Sequence, residues 1–393
     1  MNFYQRLEQT KQSLFSGALH CTFLEDTRIL RKLNFRKYVE VWLTATCVLL
    51  NGCAQHGPKF IEASRTDYNV AMNRTENEQM LLNLVRLRYG DPPYFLEASA
   101  LNTQFLIAPS AEASSIFDFN GNNSYGLSGR LAYEEKPTVT YVPLRGQEFV
   151  RQVLSRVTLD TILLLDASGW STARVLRLCV ERMNNLDNAA RASGPTPADA
   201  PSVENFLKAI AIFAAMEKSG DLLIYREEKR KARKIFVRFK SDIKNQKEFS
   251  VLSELLGLNP TTDTFELTFN QVTSNDTTIN FQTRSFMGVM YFLAQAVKVP
   301  STDIDAGLVM VTRKSSGEVF DWEEVTEQLM NIDSSPSEPE NAAVAVNYRG
   351  SWFYIADGDL PSKSTFALLG QLYALQSDAD DKGAPILTLP IGG

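Results

Sequence analysis

Ala343-Val-Ala-Val-Asn-Tyr348 and Trp352-Phe-Tyr-Ile355, joined by Arg349-Gly350-Ser351, form the stretch whose reading decides the fold. Apolar residues alternate with small or polar ones on both sides of a glycine-containing turn, the pattern of a β-hairpin. Directly afterwards the period changes: in Pro361 to Gln376, Phe366, Leu369 and Tyr373 recur at helical spacing on one face. Pro385 to Pro390 then reads as a last strand. Upstream, the helical segments Val203 to Lys218, Lys247 to Leu256 and Arg284 to Val297 are each followed by a strand-like run, at Asp221 to Tyr225, Phe265 to Phe269 and Leu308 to Val311. No sequence period accompanies this rhythm, so it is not a repeat. Because a hairpin closes the series, the expected class is α+β, with mixed helices and short antiparallel strands, rather than a regular βαβ succession.

Further upstream, residues 188–202 are rich in Ala, Gly, Pro and Ser and carry no pattern, so they read as a linker or long loop between two domains, 69–187 and 203–393. In the first of these, Thr75-Glu-Asn-Glu78 has the spacing of a capping box, and Gly90 before Pro92-Pro93 is a helix stop. Met80, Leu81, Leu84 and Leu87 make the apolar face between them. Arg88 falls on that face, and a buried guanidinium needs a partner, for which Asp91 is nearest in sequence. Four strand-like runs follow, Tyr94 to Leu96, Phe105 to Ile107, Tyr125 to Tyr133 and Thr138 to Val142, then a helix from Gln147 to Leu165 and another from Ser171 to about Asn185. In the latter, Val175, Cys179 and Met183 share a face, which makes Cys179 a small buried hydrophobe.

At the other end of the chain, Arg28, Arg31, Lys32, Arg36 and Lys37 precede the apolar run Val41 to Leu50 and then Asn51-Gly52-Cys53. Ten helical residues span about 15 Å, half of a hydrocarbon core, so this run is too short to cross a bilayer and fits a signal-peptide core. The order of basic flank, apolar core, small residue and cysteine in Leu50-Asn-Gly-Cys53 resembles the lipobox of bacterial lipoprotein precursors. That resemblance implies cleavage before Cys53 and acyl chains, including palmitate, on it. With Ala54 next it also implies retention at the outer membrane, facing the periplasm. Residues 1–52 are then an upstream extension with the signal peptide, translation is expected to start near Leu30 or Leu33, and 53–68 is a polar tether. Leu81-Leu-Asn-Leu-Val-Arg-Leu-Arg-Tyr-Gly-Asp-Pro-Pro93 and Tyr348-Arg-Gly-Ser-Trp-Phe-Tyr354 with Ser362-Lys363 are similar to uncharacterised lipoproteins of Gram-negative bacteria, which supplies no activity.

The chain has 40 basic and 46 acidic side chains; the first 52 residues hold 7 and 4 of them, so the rest carries 33 and 42 and is acidic by nine charges. A nucleic-acid partner is therefore not expected. Beyond residue 52 the cysteines are Cys53 and Cys179, so with Cys53 acylated no internal disulfide is possible.

The same part of the chain has one histidine, His56, which removes Ser-His-Asp, Cys-His and multi-histidine metal arrangements from consideration. Ser241-Asp-Ile-Lys244 has the spacing of penicillin-recognising enzymes, but Lys218-Ser-Gly220 lies upstream where a downstream element is required, so a solvated helix start is expected. Gly126-Leu-Ser-Gly129 lacks the spacing of a nucleophile elbow and reads as a turn. Asp357-Gly-Asp359, Asp378-Ala-Asp-Asp381 and Asp118-Phe-Asn120-Gly-Asn122 do not continue into a calcium loop and read as acidic turns. Arg226 to Lys234, with six basic and two acidic residues, reads as a solvated hairpin tip. Tyr348, Trp352, Phe353 and Tyr354 alternate in direction, so at least half belong to the core.

No catalytic residue, metal ligand or cofactor is assigned from these patterns. The expectation is an outer-membrane-anchored periplasmic lipoprotein, a non-catalytic envelope scaffold or assembly component with envelope proteins as partners and the membrane reached through acyl chains on Cys53. Two alternatives stand beside it: a hydrolase of envelope glycans using Asp357, Asp359, Asp378 and Asp380, and an accessory lipoprotein of an export channel. In the lipoprotein reading Cys53 is the sole acylation site. Cys53→Ala is accordingly expected to abolish incorporation of a fatty-acid analogue and to leave uncut precursor; equal labelling of wild type and mutant rules the anchor out.

Overall fold

The computed structural model describes residues 56–116, 124–229, 232–240, 247–269 and 275–377. Cys53 and its flanks, Asp118 to Asn122, Ser241 to Lys244, Asp378 to Asp381 and the expected strand Pro385 to Pro390 lie outside the described residues. The chain divides into two compact units, Met1–Tyr68 with Leu96–Val142, and Asn69–Phe95 with Pro143–Gly393.

The first helix, α1, runs His56–Arg88. It begins well before Thr75, whose hydroxyl donates to the Met72 carbonyl inside the helix instead of capping it. Pro58 sits in the first turn, where a missing N–H costs nothing, and no further Pro or Gly intervenes before Gly90. The expected tether is therefore helical from His56 onward. In the first unit, the four short strands expected over 94–142 are two long ones, β1 (Leu96–Ile116) and β2 (Ser124–Pro143), paired in a two-stranded sheet. Gly126 to Gly129 falls inside β2.

In the second unit, α1 contributes Leu81, Leu84, Val85 and Leu87 to the core, and the turn that follows it passes through Gly90, which has φ 77°. Then come α2 (Gln147–Leu154), α3 (Leu159–Ala167), α4 (Thr172–Cys179), β3 (Val180–Met183), β4 (Leu186–Asp187), a 3-10 turn Ala190–Ser193 and α5 (Glu204–Lys218). The second half has β5 (Leu222–Lys229), β6 (Ala232–Phe239), α6 (Lys247–Leu256), β7 (Thr264–Phe269), β8 (Thr278–Thr283) and α7 (Phe286–Ala294). It closes with the short α8 (Ser301–Asp305) and α9 (Glu323–Thr326), then β9 (Asp333–Ser335), β10 (Ala342–Tyr348), β11 (Ser351–Ala356) and α10 (Leu360–Ser377). This is an α+β fold. Its sheets are mostly antiparallel, the exception being the parallel pair β7–β8.

The larger sheet has the order β4-β3-β8-β7-β6-β5. Cross-strand partners share a face, so the registers Ile224↔Val237↔Phe265 and Ile235↔Leu267↔Ile279 lay apolar rows across it. α5 and α6 cover this face through Phe213 and Phe249, whose rings meet Phe239 edge-on at 6.5 and 5.1 Å. The opposite side of the β5–β7 end is polar, with Lys234 on Glu266 (2.9 Å) and Arg238 over the Tyr225 ring.

α7 is apolar on every side, and seven of its nine residues are buried, as expected of a helix inside a core. Ser285 caps it, its Oγ accepting from the Gly288 N–H at 3.0 Å. A Cβ at Gly288 would meet the Ser193 Cβ at 3.4 Å and Ser285 Oγ at 3.3 Å, so glycine lets α7 approach the 3-10 turn. Just before the cap, Arg284 is buried completely. Its Nη1 donates to the carbonyls of Leu178 (3.0 Å) and Val180 (2.7 Å), its Nη2 to that of Asn188, and its Nε to Ser193 Oγ (3.0 Å). The guanidinium lies 4.0 Å over the Phe292 ring and at the C-terminal, negative end of α4. Burial nonetheless pulls its pKa down to about 10.

This cation explains three departures from expectation. The helix starting near Ser171 stops at Cys179 rather than Asn185, because its last carbonyls turn to Arg284 and the chain continues as β3. Residues 188–202, expected as a linker or long loop, are a loop with a 3-10 turn that packs into the second unit: Asn188, Ala189 and Ala192 are buried, and Asn188 Nδ2 donates to the carbonyls of Arg177 (2.8 Å) and Val180 (2.6 Å). The expected helix Gln147 to Leu165 breaks at Ser155-Arg-Val157, where Arg156 bridges to Ser285 and the Val157 N–H binds the Arg284 carbonyl (2.9 Å). A fourth departure is separate: Leu308 to Val311 is irregular rather than a strand. Cys179 is buried as expected, and burial pushes its thiol up to about 12.

Replacing Arg284 by methionine strips several buried carbonyls of their donor, and a loss of at least about 3 kcal/mol in denaturant stability is expected. Native Cys179, whose burial is expected to protect it from thiol reagents in the wild type, should then become reactive. A loss below about 1 kcal/mol with Cys179 still protected contradicts this role.

Candidate functional site

The three-stranded sheet has the order β10-β11-β9, so β10 is an edge. Its hairpin turns on Arg349 (φ 50°) and Gly350 (φ 85°), two successive left-handed residues, the combination that matches strand twist in a two-residue turn. Val344, Val346, Phe353 and Ile355 face the core, which leaves Ala343, Ala345, Asn347, Trp352 and Tyr354 on the opposite side. Of the four aromatics noted in the sequence, Phe353 is core and Tyr348 packs edge-on to Tyr89 at 5.6 Å, so no four-ring platform forms.

Beside the β10 edge runs a groove of about 880 Å³. One wall is β10 from Ala342 to Asn347, with Trp352 behind it; the other is the α1 face carrying Asn69, Asn73, Asn77 and Leu82. These asparagines recur at four-residue spacing and so form one stripe, along which Asn77 Nδ2 donates to Asn73 Oδ1 at 3.0 Å. Arg74 and Glu78, also lining the groove, pair with each other at 2.7 Å. Glu338 and Glu340 stand at the end where β10 begins, both exposed.

At the C-terminal end of α1 the two sequence blocks singled out above meet. Asp91 accepts from the Tyr348 hydroxyl and from Arg349 (3.0 Å), and those two bonds hold its carboxyl below the usual carboxylate range. The Tyr89 hydroxyl donates to Asp303 at 2.6 Å, and Arg349 lies over its ring. Arg88 is not the partner of Asp91: it donates to the Met310 carbonyl (2.8 Å), and its Nε is buried with no hydrogen-bond partner among the described residues. The nearest carboxylate in sequence was already engaged by a hairpin from the far end of the chain.

Those of the remaining candidates that lie among the described residues take structural roles. Asp359 starts α10, accepting from the Ser362 N–H (3.1 Å) and hydroxyl (2.6 Å), while Asp357 is an exposed partner of Lys363 (2.5 Å). Asp378 and Asp380 are outside the described residues. In the expected basic tip, Arg226 pairs with Asp160 at 3.0 Å and Lys234 with Glu266. Among the described residues no group of three or more metal-ligating side chains occurs, and no helix is long and apolar enough to cross a membrane.

One carboxylate pair escaped the sequence reading. Asp166, which accepts from Thr172 (2.6 Å), and Glu217 meet where α3 and α5 end; burial first, then the charge and hydrogen bond of Asp166, pushes the Glu217 carboxyl above its ordinary value, against a Thr172 hydrogen bond acting the other way. They lie 51 residues apart, and neither flank has a recognisable motif. Asp166 lines a space of about 30 Å³, enough for a water and far below the several hundred Å³ of a glycan site. No protein-family model, no curated protein and no solved structure matches this chain.

Because the folded state raises the pKa of Glu217, the fold favours its protonated form, and stability falls as pH rises from the ordinary glutamate range through the shifted value. Glu217→Gln should therefore be more stable than wild type at neutral pH, the difference vanishing below pH of about 4. Denaturant midpoints across pH check this; a mutant weaker than wild type at neutral pH counts against it.

Proposed function

We propose that this chain is an outer-membrane-anchored periplasmic lipoprotein, held through acyl chains on Cys53, and that it is a non-catalytic envelope scaffold or assembly component acting through contacts with envelope proteins. The anchor rests on the order of residues from Arg28 to Cys53. The scaffold role is carried by one observation, the open β10 edge lying along a groove of about 880 Å³. Sheet edges left unpaired template pairing with other chains, and proteins blunt the ones they do not use with short strands or charges. β4 is two residues long, β9 three, and β5 carries Arg226, Glu227, Glu228 and Lys229. β10 is seven residues long without a charge or a proline. Among the edges of the two sheets in the second unit, β10 alone has neither device.

The glycan-hydrolase alternative draws no support from Asp357 and Asp359, which are a surface ion pair and a helix start. Fractionation of Gram-negative envelopes with a photo-crosslinking residue at Ala343 tests the scaffold reading. Wild type is expected in the outer-membrane fraction, cross-linked to a discrete partner; Cys53→Ala should lose both. Cross-linking no stronger than from a control position at Glu204, on an exposed side of α5, or outer-membrane recovery independent of Cys53, counts against it.

A further inference from the structure

We infer that the groove takes an extended peptide from a partner protein, added to β10 as a fourth, antiparallel strand with a basic residue at its C-terminal end. This deepens the scaffold reading and rests on it. The backbone of an edge strand offers a row of N–H and C=O groups whose only regular complement is another extended backbone. Seven residues at about 3.3 Å each give about 23 Å of edge, room for a peptide of similar length. Antiparallel addition continues the pairing already present between β10 and β11 and between β11 and β9. It is also the slightly stronger mode per residue.

The walls define the rest of the ligand. On the α1 side, Asn69, Asn73 and Asn77 present a stripe of side-chain amides, each with donors and an acceptor, suited to short polar side chains or to peptide groups. Ala343 and Ala345 leave space along the other wall, and Leu82 and Trp352 supply apolar surface. Charge fixes direction. Glu338 and Glu340 flank the start of β10, and among the described residues neither meets a basic side chain, whereas Glu78 is occupied by Arg74. The C-terminal end of an antiparallel strand lies beside the start of β10, so a lysine or arginine there completes the site.

The probe is a fluorescent peptide of about eight residues, alternating threonine and valine and ending in a pair of lysines, titrated by anisotropy against the full chain in detergent. Saturable binding is expected, weakened about fivefold when the lysines move to the N-terminal end or when Glu338→Lys and Glu340→Lys are combined, the size of an exposed ion-pair effect. Ala345→Pro, which disrupts strand pairing, should weaken it about tenfold. Protection of Cys179 reports whether that variant is folded; if it is not, the lysine placement and the charge reversal decide. No saturable binding up to about 1 mM, or equal binding of both lysine placements, overturns the inference. Self-association abolished by Ala345→Pro overturns it in favour of a second copy, and binding that appears only after deletion of residues 378–393 overturns it in favour of the chain's own tail. The titration needs no membrane, so its failure leaves the fractionation and cross-linking test of the scaffold reading standing.

Discussion

A single guanidinium, Arg284, sets the geometry of the second unit. It is buried without a carboxylate in contact, and its charge is balanced by backbone carbonyls at the negative end of α4 together with the face of Phe292. A buried cation is tolerated when its donors are filled and the surrounding dipoles point at it. Here the dipoles come from segments otherwise hard to hold, namely the end of α4, the start of β3 and the loop at Asn188. Arg284 also directly precedes the cap of α7, so the axis of the most buried helix is fixed by the same residue.

The same device recurs at smaller scale. Arg177 donates to the carbonyls of Val325 (3.0 Å) and Glu327 (2.9 Å), Arg174 to that of Pro361 (2.7 Å), and Arg88 to that of Met310. All three guanidinium pKa values are lowered, with burial the leading cause. Residues 306–341 contain little regular structure, so many of their carbonyls lie outside helices and ladders. Arg88 on α1 and Arg177 on α4 supply donors to this segment from outside, while Arg174 reaches the first turn of α10. The irregular segment is thus held to the helices by cations rather than by apolar area alone.

Elements whose signal is local were legible in the sequence. α6 has the expected bounds, α5 and α10 lie within a residue of theirs, and the hairpin turn at Arg349-Gly350 and the burial of Cys179 stand as read. Elements decided by a distant partner were not. Nothing near Ser155 announces that α2 ends there, because the cause is a bridge to Ser285, and nothing near Asn188 announces burial, because its amide satisfies carbonyls of α4 and β3. The groove was illegible for a related reason. The run Ala342 to Asn347 is visibly uncharged, but whether it lies at an edge or in the middle of a sheet depends on β9 and on α1, whose Asn69 to Asn77 stripe is about 270 residues away in the chain.

The bond between Asp91 and Tyr348 joins residues 257 apart. A chain synthesised at about 5 to 20 residues per second makes α1 roughly 13 to 50 s before the hairpin that receives it. Through that interval Tyr89 lacks the Tyr348 and Phe353 rings it packs against. Closing so large a loop also carries an entropic cost that local contacts cannot repay. The C-terminal end of α1 therefore cannot complete its packing until nearly the last element of the chain has been made.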